Sequence, residues 1–160
     1  MAKFYRVLSL SLIFFILIAF PVHAKEGEVL RDVITIQKSN GQSIVFDVEV
    51  ALSLDDQAKG LMHRTFMPEN EGMLFLFPGL AQRIFWMKDT LIPLDIIFID
   101  TDGTILHIHH MAKPQDLKQI TSEEPSRAVL EINGGLSAKF GFKKGDKILH
   151  ALFRNNLLAQ

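Results

Sequence analysis

Between residues 33 and 153 the apolar residues come in short runs, and nearly every run is closed by turn-forming residues. Val33-Ile34-Thr35-Ile36 precedes Ser39-Asn40-Gly41-Gln42, Met73 to Phe77 precedes Pro78-Gly79, and Leu94 to Ile99 precedes Asp100-Thr101-Asp102-Gly103. Apolar runs of this length between Gly, Pro, Asn and Asp clusters read as strands rather than helices. Asn40-Gly41 predicts positive φ angles in a tight hairpin turn, and the return strand alternates, with Ile44, Phe46, Val48 and Val50 on one side and Val45, Asp47 and Glu49 on the other.

Further strands are predicted at Arg83 to Met87, at Ile105 to Met111 as an alternating antiparallel partner, at Arg127 to Ile132 and at Lys147 to Phe153. Only Ser53 to Met62 has the marks of a helix longer than a turn. Ser53 stands as its cap, Asp55 and Asp56 favour the positive end of its dipole, and Leu54, Ala58, Leu61 and Met62 fall on one face. A one-turn helix is expected before Gly141, and 112 to 126, with two prolines, reads as the longest loop. The expected fold is mainly β with minor α: a partly open antiparallel β-barrel or rolled sheet of seven to eight strands with one or two short helices.

The first 24 residues follow a different rule. Lys3 and Arg6 precede an apolar run from Val7 to Phe20 and then Pro21-Val22-His23-Ala24, the order of a secretory signal with cleavage after Ala24. The run is about 14 residues, against roughly 20 for a helix that spans a bilayer, so no stable membrane insertion is expected after cleavage. The domain plan is a signal peptide at 1–24, a lead-in at 25–31, one domain at 32–154 and a tail at 155–160. Export to the periplasm is expected, with the extracellular space as the other destination.

Cleavage removes Lys3 and Arg6 and leaves 15 basic against 18 acidic residues. That balance argues against nucleic acid as a partner, because phosphate binding needs a concentrated basic face. The chain contains no cysteine, so the core alone must hold the domain together.

Trp86, Lys88 and Thr90 with Asp95 gather aromatic, cationic and anionic groups on one connection, which reads either as a binding rim or as core filler around a corner fixed by Pro93. His107 and His109 share one side of a strand with Met111 next along it, the residue types of a copper or zinc site that lacks its remaining ligands. No glycine-flanked serine elbow, phosphate-binding glycine loop or zinc-protease helix motif occurs.

Gly60-Leu61-Met62-His63-Arg64, Gly72-Met73-Leu74-Phe75, Phe85 to Thr90 with Ile92-Pro93-Leu94-Asp95, Val129-Leu130-Glu131 with Gly135, and Gly141 with Gly145-Asp146 occur in that order. In order and spacing these motifs resemble the domain-of-unknown-function 192 family over roughly residues 33 to 152. The resemblance implies a compact β-rich, barrel-like domain, often exported, with no established activity. It departs at Asp89, where the family usually has Asn. Arg64, Asp95 and Glu131 are among the charged members of these motifs. Glu131 should face away from Leu130, and three roles stay open for the charged set: a structural arginine–carboxylate pair, a ligand clamp, or acid–base catalysis.

The leading expectation is a non-catalytic module of the cell envelope that binds a small ligand or a protein, through Arg64, Trp86, Lys88, Thr90, Asp95 and Glu131 and the 112–126 loop. A hydrolase acting on envelope carbohydrate through Asp95 and Glu131 is the alternative, since paired carboxylates serve that chemistry when their separation suits it. Copper or zinc binding through His107 and His109 is the second alternative; no other cofactor is expected.

Overall fold

Residues 29–155 are described by a computed structural model; the expected signal segment, the start of the lead-in and most of the tail lie outside the described residues. The chain opens with a hairpin of β1 (Arg31–Gln37) and β2 (Ser43–Ala51), paired antiparallel from Arg31↔Glu49 to Gln37↔Ser43. Its turn needs one left-handed residue rather than two. Gly41, at φ 87°, donates its N–H to the Lys38 carbonyl while Lys38 donates to Gln42. The Asp100 to Thr104 turn repeats the arrangement, with Gly103 at φ 83°.

Helix α1 (Leu54–Lys59) starts where expected, with the Ser53 hydroxyl accepting from the Asp56 N–H, but stops at Gly60 rather than Met62. The apolar face predicted for it is therefore divided. Leu61 turns into the core while Leu54 is 84 % exposed. Next come β3 (Glu71–Ala81), β4 (Ile84–Phe85), β5 (Leu94–Ile99), β6 (Ile105–Ala112), β7 (Ile120–Thr121) and β8 (Ser126–Asn133), then α2 (Leu136–Phe140) and β9 (Lys147–Leu149). Pro78-Gly79 does not end β3, which continues through an irregular register to Ala81. The last expected strand is shorter than predicted: after Leu149, His150 caps a 3₁₀ turn at Ala151–Phe153.

Seven strands form one sheet in the order β6-β5-β8-β3-β2-β1-β9. The main sheet contains one parallel pair, β2 with β3, because α1 and the loop after it carry the chain back to the same end before β3 begins. Its two end strands approach each other through a Thr104↔Lys147 bridge and through hydrogen bonds from Ile105 to Asp146 and from Ile148 to Gly103. The sheet is thereby curled into a half-barrel. Ile34, Phe46, Leu74, Ile97, Leu130 and Ile148 fill its inner face. On the outer face Phe75, Ile96, Phe98 and Val129 pack under Leu61, Met87 and Ile120, with the small β4–β7 ribbon lying over them. That ribbon divides what the sequence reads as one long loop at 112–126.

Two bulges in β6 correct the predicted alternation. Ile99 pairs with Ile105 and Phe98 with His107, so Leu106 is an extra residue and Ile105 shares the inner core with Ile108. Further on, His110 and Met111 together face the single residue Asp95.

Gly72 lies between β2 and β8, and a Cβ there would stand 2.6 Å from the Glu131 carbonyl oxygen. Gly72→Ala is expected to destabilise the domain by about 2 kcal/mol through overpacking. Gly79→Ala, with nothing within 4 Å, should change stability by less than about 0.5 kcal/mol. Urea midpoints measure both, and equal shifts would show that the contact does not constrain the sheet.

Candidate functional site

Register places one residue from each of six strands in a single row across the outer face. Arg31 pairs with Glu49, Glu49 with Met73, Met73 with Glu131, Glu131 with Ile96 and Ile96 with His109. Directly paired residues share a face, so two acids and a histidine stand on a surface otherwise packed with apolar side chains. A crevice runs over this row beneath the C-terminal end of α1.

One end of the crevice is a polar cleft of about 360 Å³ lined by Glu49, Asp56, Lys59, His63 and Arg64. Here Arg64 donates to the buried Glu49, and Arg31 lies 3.7 Å from Glu49 and 3.1 Å from Glu71. The predicted arginine–carboxylate pair thus exists, but its acid is Glu49. Alternation along β2 gives no sign of this, since it groups Glu49 with Val45 and Asp47, and of the three only Glu49 is buried.

The middle of the crevice is a niche of about 40 Å³ whose wall includes Gly60, Phe75, Phe85, Trp86, Thr90 and Glu131. Glu131 is 5 % exposed, and among the described residues no hydrogen-bond donor or cation meets its carboxyl group. Burial alone pushes that carboxyl up to about 8, so it holds its proton at neutral pH. Beyond it, the crevice widens to about 480 Å³ between Gln57, Phe77, Arg83 and Trp86, and a further hollow of about 230 Å³ lies against Ile84, Trp86 and Gln119.

Trp86 stands at the mouth, 48 % exposed, with the Lys88 ammonium 5.5 Å from its ring centroid. Met87, not Trp86, fills the core. Thr90 is buried and ties the corner together: its hydroxyl donates to the Lys88 carbonyl, and its own carbonyl accepts from Gln115. Asp89 is at φ 53° and its carbonyl accepts from the His63 N–H. Asp and Asn are the non-glycine residues that best tolerate this region.

Asp95 belongs elsewhere. It pairs with Ile132 while Ile96 pairs with Glu131, so the two acids leave opposite faces of the sheet. Asp95 is fully buried and accepts three backbone N–H groups, from Met111 (2.8 Å) and Gly135 (3.0 Å) on Oδ1 and from Ser137 (2.8 Å) on Oδ2. Two carboxyl groups divided by a sheet cannot flank one glycosidic bond, so the carbohydrate-cleaving pair is not assembled. Both residues stand out in the sequence; the faces they occupy do not.

His107 and His109 do share the outer face, as the strand period predicts. His107 stacks on Phe98 at 5.9 Å and lies 3.6 Å from Glu123, while burial first, and then its neighbours His107 and His110, lower the His109 pKa. Met111 does not continue their line, because the bulge at 110–111 turns it to φ 52°. No group of three or more His, Cys, Asp or Glu suited to a metal occurs among the described residues.

Comparison with known proteins agrees with the motif pattern. The profile of the DUF192 family, described as "Uncharacterized ACR", matches residues 35–150, and the chain belongs to that family. A crystal structure from Sinorhizobium meliloti 1021, described as a candidate transcription regulator, superposes with a TM-score of 0.78 at 35 % identity, covering 79 % of this chain and 98 % of that one. A protein of unknown function from Novosphingobium aromaticivorans DSM 12444 gives a TM-score of 0.74 at 40 % identity over 83 % of this chain and 94 % of its own. No curated protein matches the chain.

Two outcomes test the opposite roles of the acids. Asp95→Ala leaves three backbone donors unpaired, each costing about 1–3 kcal/mol, so it should lower stability by more than about 3 kcal/mol; a loss below about 1 kcal/mol would deny it this role. Glu131 binds its proton more tightly folded than unfolded. Its contribution is complete below the ordinary value of 4.5 and is lost as pH rises towards about 8, at about 1.4 kcal/mol per pH unit. Glu131→Gln should remove that slope and be the more stable form at pH 8, as read from urea unfolding between pH 5 and pH 9. A slope unchanged in Glu131→Gln would assign it to other groups.

Proposed function

We propose that this chain is an exported, non-catalytic binding module of the cell envelope, and that its ligand enters the crevice between Trp86 and the end of α1. The observation that carries the reading is Glu131: a buried carboxyl group without a protein partner, set in a niche walled by Phe75, Phe85 and Trp86. An unpaired buried polar group costs stability, and a site for a ligand is a reason to keep one. Small-molecule sites are commonly concave, largely apolar and fitted with a few polar groups.

Export rests on the pattern of residues 1–24. No helix among the described residues is long and apolar enough to cross a membrane. A transcription-regulator role, taken from the name of the Sinorhizobium protein, would call for a basic face. The 15 basic against 18 acidic residues that follow Ala24 do not favour one, and we do not adopt that role.

A thermal-shift screen of the chain from Lys25 onward, against sugars, peptidoglycan fragments, organic acids and amines, should return at least one stabilising compound. Its effect should disappear in Trp86→Ala and persist in Leu54→Ala, which alters an exposed residue outside the crevice. Fractionation of cells expressing the full chain should place the shortened product outside the cytoplasm. A cytoplasmic full-length product, or hits that are indifferent to Trp86, would overturn the reading.

A further inference from the structure

The geometry points to an ammonium group as the part of the ligand that Glu131 receives. This inference rests on the crevice being the binding site and narrows what it accepts.

The niche limits the occupant in three ways. Its volume, about 40 Å³, suits one compact head group; the bulk of a ligand must lie in the wider hollows on either side of Phe85 and Trp86. Three aromatic rings, Phe75, Phe85 and Trp86, line it beside Glu131, and the negative faces of aromatic rings attract cations. Trp86 already shows this preference, since the Lys88 ammonium lies 5.5 Å from its ring centroid. Its floor offers a carboxyl group with no donor of its own among the described residues. A group that supplies several N–H donors and a positive charge answers all three, whereas a carboxylate or phosphate could accept only the single O–H of the protonated carboxyl and would bring a negative charge against the aromatic lining.

Few protein charges compete for Glu131. Lys59 lines both the niche and the polar cleft and has no ion pair among the described residues. Arg64 is occupied by Glu49, and along the cross-sheet row Met73 separates Glu49 from Glu131 while Ile96 separates His109. Gly60 keeps the roof low: a Cβ there would stand 3.3 Å from the Phe75 ring and 4.0 Å from the Glu131 carboxylate.

Binding is then an exchange of positive charge. The carboxyl proton leaves to bulk buffer as the ammonium enters, giving a buried pair with no net charge. At pH 7 a group titrating near 8 is about nine-tenths protonated, so close to one proton is released per ligand bound.

Isothermal titration of the chain from Lys25 onward with n-propylammonium chloride, in two buffers of different ionisation enthalpy, tests this. Emission of Trp86, the sole tryptophan, is followed in parallel. Saturable binding with release of about one proton is expected, weakened at least tenfold in Glu131→Gln, while propionate and propionamide leave the emission unchanged. A lysine derivative blocked at both termini, titrated separately, tells a peptide side chain from a free amine as the source. Absence of saturable binding, an affinity unchanged in Glu131→Gln, or equal binding of propionamide would overturn the ammonium assignment. A Trp86-dependent hit of another chemistry in the thermal-shift screen would then leave the crevice standing as a site, whereas failure of both experiments would remove the site itself.

Discussion

A single carboxylate organises the least regular part of the fold. Asp95 is sealed under the sheet and accepts N–H groups from a strand bulge, from a left-handed glycine turn and from the first turn of α2. These three pieces have no ladder of their own with one another. Met111 at φ 52° is a conformation that needs outside support, whereas Gly135 at φ 89° is one that glycine adopts freely; the same oxygen accepts from both. With the bulge held, β6 can pass from β5 to the small ribbon over the outer face; with the glycine turn held, β8 can feed α2. In a chain without disulfides, a buried acid meeting three amides performs part of the work of a cross-link.

Glu131 shows the opposite use of the same chemical group. It stands one ladder step away from Asp95 on the other face of the sheet, where apolar side chains surround it and no amide reaches it. Asp95 is held by three backbone donors. Glu131 is left with its capacity unspent, and perturbed, buried carboxyl groups of this kind concentrate at functional sites.

Much of this was legible in the sequence. The turn residues at 39–42 and 100–103, the Ser53 cap and the apolar run at 73–77 each rest on local rules, and the structure follows them. What local rules could not carry was pairing. Nothing in Ser43 to Phe77 announces that β2 and β3 run parallel, and it is this pairing that brings Glu49 to Met73 and so to Glu131. The extra residues at Leu106 and at His110–Met111 cannot be told from plain alternation until a partner strand is known. Asp95 and Glu131 were both visible as candidates, but whether two strand residues share a face depends on register. Phe75 and Phe85 stand in the sequence only as parts of a strand or motif, because an aromatic lining looks like an aromatic core until its open side is seen.

The order of strands also governs when the fold can be completed. The last strand, Lys147–Leu149, does not join the segment that precedes it; it pairs with Thr35 to Gln37 of the first. A chain that emerges with its N-terminus leading must therefore hold the outer edge of β1 unpaired until its final residues arrive. Until then the half-barrel cannot close and Ile34, Ile36 and Phe46 lack their last cover. Non-local closure of this kind is slow relative to hairpin formation, so the incomplete chain stays unfolded for longer and offers an exposed strand edge to chaperones that recognise one.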